Sequence, residues 1–194
     1  MIRKLDVYWD THYPEGPPIA DWLRTDYEQR WVRFHSMPGS ACFAATRAEV
    51  EAVLDRENAV LDWLAVVDEE IILVTSSYSE TAATDRNQPE LCEVDPEATL
   101  WKTIAFHEIE NDPDNPNYRH LYASTRRWSA HCLDPILRLV AVDTVANAMI
   151  LSTSGGWLFY PYAGGMDLIL ATSEERDEVR AAFPQWLSPR SDGL

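Results

Sequence analysis

Cysteine is scarce and unpatterned in this chain: Cys42, Cys92 and Cys132 are three in number and widely spaced. An odd set at such spacings forms neither a disulfide framework nor a zinc site, so buried or idle thiols are expected. Long apolar runs are missing too. No window approaches the ~20 apolar residues of a spanning helix, and Met1 to Trp9, MIRKLDVYW, is too short and too polar for a signal peptide. A cytoplasmic protein that does not engage membranes is expected. Basic residues are few, 16 Lys and Arg against 32 Asp and Glu, for a net charge of −16. A field of that sign repels phosphates and argues against direct binding of DNA or RNA. The imbalance is uneven: residues 1–97 hold 20 acids against 8 bases, and residues 98–194 hold 12 against 8.

Catalytic signatures are absent as well. There is no G-x-S-x-G elbow, no Walker loop and no G-x-G-x-x-G, and Gly39-Ser40 after Pro38 reads as a turn. Asp112, Asp114, Asn115 and Asn117 are spaced like the start of a calcium loop. That loop needs glycine at its sixth position and glutamate at its twelfth, where Asn117 and Ala123 stand. His107-Glu108 falls in an expected strand, where neighbours point to opposite faces and cannot grip one metal. His131-Cys132 is a sequence neighbour pair rather than a demonstrated nucleophile. No catalytic residue, metal ligand or cofactor is therefore assigned.

What is present is the material of one core: 194 residues, 46% of them hydrophobic, are enough for a single domain over 1–194. Ile19 to Tyr27 reads as a short helix or an irregular segment, and Trp31 to Phe34 as a strand. Thr46 with Glu49 three residues on forms a capping box, and Val50, Val53, Leu54, Val60, Leu61 and Leu64 follow on one helical face. Ile71 to Val74 is an apolar run bounded by polar residues, the pattern of a buried strand. Trp101 to Ile109 and Tyr118 to Trp128 read as a hairpin joined by the turn formers of Asn111 to Asn117, although Tyr118, Leu121, Tyr122 and Thr125 would also suit a helix face. Asp134-Pro135 opens a helix as N-cap and first turn, and Ser173 opens another that Pro184 ends. These patterns predict an α+β fold, a mainly antiparallel sheet of hairpins around 101–128 and 149–170 covered by helices near 46–65, 134–146 and 173–183.

Two segments carry the functional expectations. The first is Ser77 to Thr99, a long polar stretch read as an acidic loop, in which Glu80, Asp85, Glu90, Glu93, Asp95 and Glu97 face a lone Arg86. Glu90, Glu93, Asp95 and Glu97 are its candidate partner-binding residues. The second is Gly155 to Leu170, GGWLFYPYAGGMDLIL, with two double-glycine turns around an aromatic run. Here Tyr160 and Tyr162 offer ring faces and hydroxyls, Gly164 and Gly165 allow a close backbone approach, and Asp167 is an acceptor. The same residues also make a purely structural hairpin: two tyrosines on one strand face, a tight turn, and Asp167 capping it. Arg119, Arg126 and Arg127 form the one basic island, although Arg126 and Arg127 must face oppositely on a strand.

The C-terminal third, from Asp134-Pro135 through Tyr160-Pro161-Tyr162-Ala163-Gly164-Gly165-Met166-Asp167 to Trp186-Leu187-Ser188 and Gly193-Leu194, resembles an uncharacterised bacterial family. Its members share histidine or tyrosine, proline and tyrosine, followed by D-D-R-G-M-D or D-G-G-x-D. Ala163 and Gly164 stand here where relatives often carry aspartates. The resemblance implies a shared α/β fold and no activity. Two function classes remain. One is an acidic binding protein, an immunity protein that neutralises a basic toxin through a carboxylate-rich surface. The other is a hydrolase or small-ligand-processing enzyme with a cleft near Tyr162 and Asp167.

Overall fold

A computed structural model of the protein describes residues 1–37, 43–84, 86–188 and 190. The turn read at Pro38-Gly39-Ser40, Cys42, Asp85 and the terminal Gly193-Leu194 lie outside them. The architecture is α+β. Seven strands form one sheet in the order β1-β7-β6-β5-β2-β4-β3, and every pairing is antiparallel. In chain order the strands are β1 (Trp31–His35), β2 (Glu70–Ser79), β3 (Thr99–Ala105), β4 (Tyr118–Arg127), β5 (Met149–Ser152), β6 (Trp157–Tyr162) and β7 (Gly165–Ile169). The expected hairpins are present: β3 pairs with β4, and β5, β6 and β7 form a meander over 149–169.

One sheet face is covered as the apolar periodicity requires, by α3 (Arg47–Leu64), α6 (Asp134–Ala141) and α7 (Ser173–Ala182). Val53, Leu54, Val60 and Leu61 of α3 are buried, and the Thr46–Glu49 capping box is complete. With Ile136, Leu137, Val140 and Val179 they pack on Val32, Phe34, Ile71, Leu73, Phe159 and Leu168 of the strands. Two starts differ in detail from their sequence reading. Asp134 is the first helical residue rather than the cap, because its carboxylate accepts from the Asn58 amide at 2.8 Å and faces His131 Nδ1 at 3.3 Å. For α7 the cap is Thr172, whose hydroxyl accepts from Glu175 N.

The opposite face is covered by α1 (Ile2–His12) and α2 (Ala20–Asp26). Leu5, Tyr8 and Trp9 lie at i, i+3 and i+4 on α1 and bury against Ile72, Val74, Trp101, Leu121 and Leu151. Three readings change in the middle of the chain. Residues 106–109 turn away from the sheet as α5 (Phe106–Ile109), so His107-Glu108 sits on a helical turn rather than a strand. The polar stretch 77–99 is not one loop. Its first residues extend β2, and Pro89–Val94 forms α4 with proline in the first turn. Cys92 is exposed rather than buried, while Cys132 is half-buried; both are free.

Among the described residues no helix is long and apolar enough to cross a membrane, and no group of three or more His, Cys, Asp or Glu stands close enough to hold a metal ion.

Candidate functional site

The register of β1, β7 and β6 brings the tyrosine-rich segment together with a residue that sequence reading left aside. Arg33 on β1 pairs with Asp167 on β7, which pairs in turn with Tyr160 on β6. Strand residues in one cross-sheet row share a face, so the three side chains stand side by side. Arg33 Nε donates to Asp167 Oδ1 at 2.9 Å and Nη2 donates to Oδ2 at 3.4 Å. The Tyr162 hydroxyl donates to the same Oδ1 at 3.1 Å. Asp167 is 3% exposed. Its oxygens therefore serve an arginine and a tyrosine rather than the turn, which corrects the expectation of an Asp167 cap.

Aromatic rings frame this ion pair. The Arg33 guanidinium lies 5.3 Å from the Tyr162 ring centre and 5.7 Å from that of Trp31, within the range of cation–π attraction. Tyr160 and Tyr162 lie 5.5 Å apart. Burial would depress the Arg33 guanidinium, but the hydrogen bond and charge of Asp167 outweigh it and hold its pKa above the usual value. Burial pushes the Tyr162 hydroxyl up, and the Asp167 charge pushes it further, so it stays protonated and remains a donor.

Gly165 is where the turn must be glycine. A Cβ there would meet the Tyr162 hydroxyl oxygen at 2.6 Å and the Phe34 carbonyl oxygen at 2.8 Å. Gly164 contributes through its carbonyl, which accepts from Ser36 N at 3.3 Å and ties the turn to the end of β1. The five sequence-predicted ligand-binding residues are thus adjacent, but their polar atoms already have partners: Asp167 bonds Tyr162 and Arg33, the Gly164 carbonyl accepts from Ser36, and Tyr160 bonds Asn147.

Beyond Tyr160 the polar row continues across the sheet. The Tyr160 hydroxyl donates to Asn147 Oδ1 at 3.4 Å, and the Asn147 amide donates to the Tyr78 hydroxyl. Arg119 on β4 packs over Tyr78, with its guanidinium carbon 5.3 Å from the ring centre, and over Phe106 at 4.5 Å. The Tyr160 pKa is raised, first by burial and then by the charges of Asp21 and Asp167. Tyr78 also lines a cavity of about 320 Å³ with Ser79, Glu80, Asn115, Pro116 and Asn117.

The basic island is dispersed by the fold. Arg119 faces Asp21, Arg127 donates to the Asp68 carbonyl, and Arg126 reaches to the other face. There Arg126 Nη2 lies 2.7 Å from Asp95 Oδ1, and Arg86 Nη2 lies 3.8 Å from Asp95 Oδ2. Asp95 is fully buried, so it leaves the set of acids offered to a partner. Glu90, Glu93 and Glu97 remain exposed on and after α4. None of the three forms an ion pair among the described residues.

A buried acid on α3 was also missed. Glu57 is completely buried, and neither of its carboxyl oxygens has a hydrogen-bond partner among the described residues. Burial raises its pKa well above the usual carboxylate value, outweighing the nearby Ser36 hydroxyl, which pulls the other way, and the Asp134 charge adds to the rise. The signal available in sequence was its phase: Glu57 falls one turn after Val53 and one turn before Leu61, on the apolar stripe.

No curated protein and no solved structure matches the chain. Residues 19–191, the sheet with both its tyrosine row and its buried arginines, match the family model described as a domain of unknown function, DUF3885, and the chain belongs to that family.

Proposed function

We propose that this chain is a binding protein of the bacterial cytoplasm that neutralises a basic protein partner, a toxin, as an immunity protein does. The observation that carries the reading is the separation of acids near α4. Asp95 takes up both local arginines, Arg86 and Arg126, inside the fold. Glu90, Glu93 and Glu97 are left outside without a cation, in a chain of net charge −16. Uncompensated carboxylates on and after α4 steer a basic protein toward the surface and set its orientation. Leu100 is 40% exposed at the start of β3 beside this edge and supplies an apolar contact.

The enzymatic alternative places the chemistry at Tyr162 and Asp167. Asp167 there already meets Arg33 and the Tyr162 hydroxyl, and the Tyr162 proton is held firmly. A general base needs an acceptor that the substrate can reach, so this arrangement supports the binding reading better.

The test screens the products of adjacent genes for a basic protein that the chain binds and then measures association kinetics with it. Replacing Glu90, Glu93 and Glu97 together with Gln should slow association about tenfold at low salt and flatten its salt dependence, with dissociation changed less. Unchanged association would remove this edge from the interface.

A further inference from the structure

We infer that Arg119 anchors a binding site for a small oxyanion, with the Asp21 carboxylate standing where the ligand's oxygens would sit. This site is separate from the acidic edge and does not depend on the partner-binding reading.

Arg119 is 8% exposed, yet its Nε and Nη1 have no hydrogen-bond acceptor among the described residues. The nearest carboxylate forms a long ion pair rather than a hydrogen bond: Asp21 Oδ1 lies 3.7 Å from Nη1 and has no hydrogen-bond partner among the described residues. Two other arginines of the sheet contrast with this. Arg33 makes a two-point pair with Asp167, and Arg126 sits 2.7 Å from Asp95. A buried guanidinium with unused donors is costly, since each lost its water without gaining an acceptor. An anion with two oxygens matches the end-on fork of Nη1 and Nη2 and gives Nη1 the acceptor that Asp21 does not.

Aromatic rings fix the guanidinium at this point. Phe106 and Tyr78 both lie within cation–π range of it, and Trp22 packs on Phe106 with ring centres 5.4 Å apart. The Tyr78 hydroxyl accepts from Asn147, so its own proton is available to a second acceptor. Asp21 belongs to α2, a two-turn helix, and its side chain is 43% exposed. It can swing to solvent when an anion arrives, whereas Arg119 is fixed by the rings. Asp21 is then a competitor for the site as well as its placeholder.

That double role gives the test. Calorimetric titration of the full chain with inorganic phosphate and, separately, with acetate should detect binding. Asp21→Asn should tighten it roughly tenfold, because it removes a competing charge next to the guanidinium. Asp26→Asn, at the exposed end of the same helix, should leave it unchanged. Arg119→Gln should lose binding, and Arg119→Lys should weaken it by losing the fork. The anion that binds more tightly identifies the ligand group as phosphate or carboxylate. The proposal is overturned if no anion binds the parent or Asp21→Asn, if Asp21→Asn and Asp26→Asn act alike, or if Arg119→Gln binds as the parent does. Where Arg119→Gln fails to fold, the comparison of the two aspartate variants decides.

Discussion

Arg33 and Asp167 stand opposite each other on β1 and β7 and close a two-point ion pair at 2.9 and 3.4 Å, the arginine side chain 15% and the aspartate 5% exposed. Removing one partner of a pair this deep leaves an uncompensated charge, which costs about 3–5 kcal/mol. Asp167→Asn keeps the acceptor oxygen for Tyr162 but not the charge, so it should destabilise almost as much as Asp167→Ala. A turn cap would behave differently, tolerating Asn and suffering from Ala. Urea unfolding of both variants, closed into a cycle with Arg33→Leu, should give a coupling energy above 1 kcal/mol.

The fold was legible where its cause is local. Thr46 and Glu49 are three residues apart and cap a helix without help from elsewhere, and Gly155-Gly156 and Gly164-Gly165 mark turns between adjacent strands. The site was legible in half. Tyr160, Tyr162 and Asp167 were visible as a cluster, but Arg33 is 134 residues from Asp167 and meets it only because β1 docks on β7. Nothing in the local sequence of either residue encodes that docking. Asp95 was misread for the same reason, since Arg126 comes from a strand 31 residues on. The helix over Ile2–His12 was missed because its apolar face is short, Leu5, Tyr8 and Trp9, and charges flank it.

The acids of residues 89–97 should divide by burial. Asp95→Ala strips the partner from Arg126 and Arg86 at a fully buried position. It should cost about 3 kcal/mol or more, seen as a clear drop in the urea midpoint. Glu90→Gln, Glu93→Gln and Glu97→Gln are exposed changes and should each stay within about 0.5 kcal/mol of the parent. Equal effects across the four would mean that the Asp95 pair adds nothing net.

Glu57 sets a pH dependence of definite sign. In the unfolded chain it ionises near the ordinary carboxylate value of about 4.3, while burial keeps it protonated in the fold well above that. Between the two values the native state holds one proton more than the unfolded state, so its contribution to stability falls as pH rises. The slope is at most about 1.4 kcal/mol per pH unit. Below the unfolded value the contribution is fully present. Glu57→Gln keeps the shape and cannot ionise. Its stability relative to the parent should therefore grow from pH 4 to pH 7 in urea melts, and a constant difference would show that Glu57 is not held neutral.

Gly165→Ala tests the close approach at the tyrosine turn. The new methyl would lie 2.6 Å from the Tyr162 hydroxyl oxygen, which can move, and 2.8 Å from the Phe34 carbonyl oxygen, which belongs to a paired strand. The backbone contact makes relief expensive, and overpacking of this kind costs about 1–3 kcal/mol. The displaced Tyr162 should also give up its bond to Asp167. Combining Gly165→Ala with Tyr162→Phe, which lacks that oxygen, should recover only part of the loss, because the Phe34 carbonyl remains. Full recovery in thermal melts would place the whole clash on the tyrosine.

The helix over Ile2–His12 lies outside the family match of residues 19–191 but supplies part of the core. Trp9 is 2% exposed, donates from its indole to the Gly16 carbonyl at 3.2 Å, and meets Trp101 edge-on with ring centres 5.6 Å apart. Tyr8 reaches the Ser152 carbonyl on β5 at 3.2 Å. Without this helix the face formed by Ile72, Val74, Leu121 and Leu151 would meet water, an exposed apolar patch of the kind that folded domains cover. Trp9→Ala should therefore cost about 3–5 kcal/mol. Starting the chain at residue 14 should produce a species that binds a hydrophobic dye and melts without a sharp transition. A truncated chain that melts as cooperatively as the parent and binds no dye would show that residues 19–191 fold as a self-sufficient unit, with the first helix a later addition to a finished core.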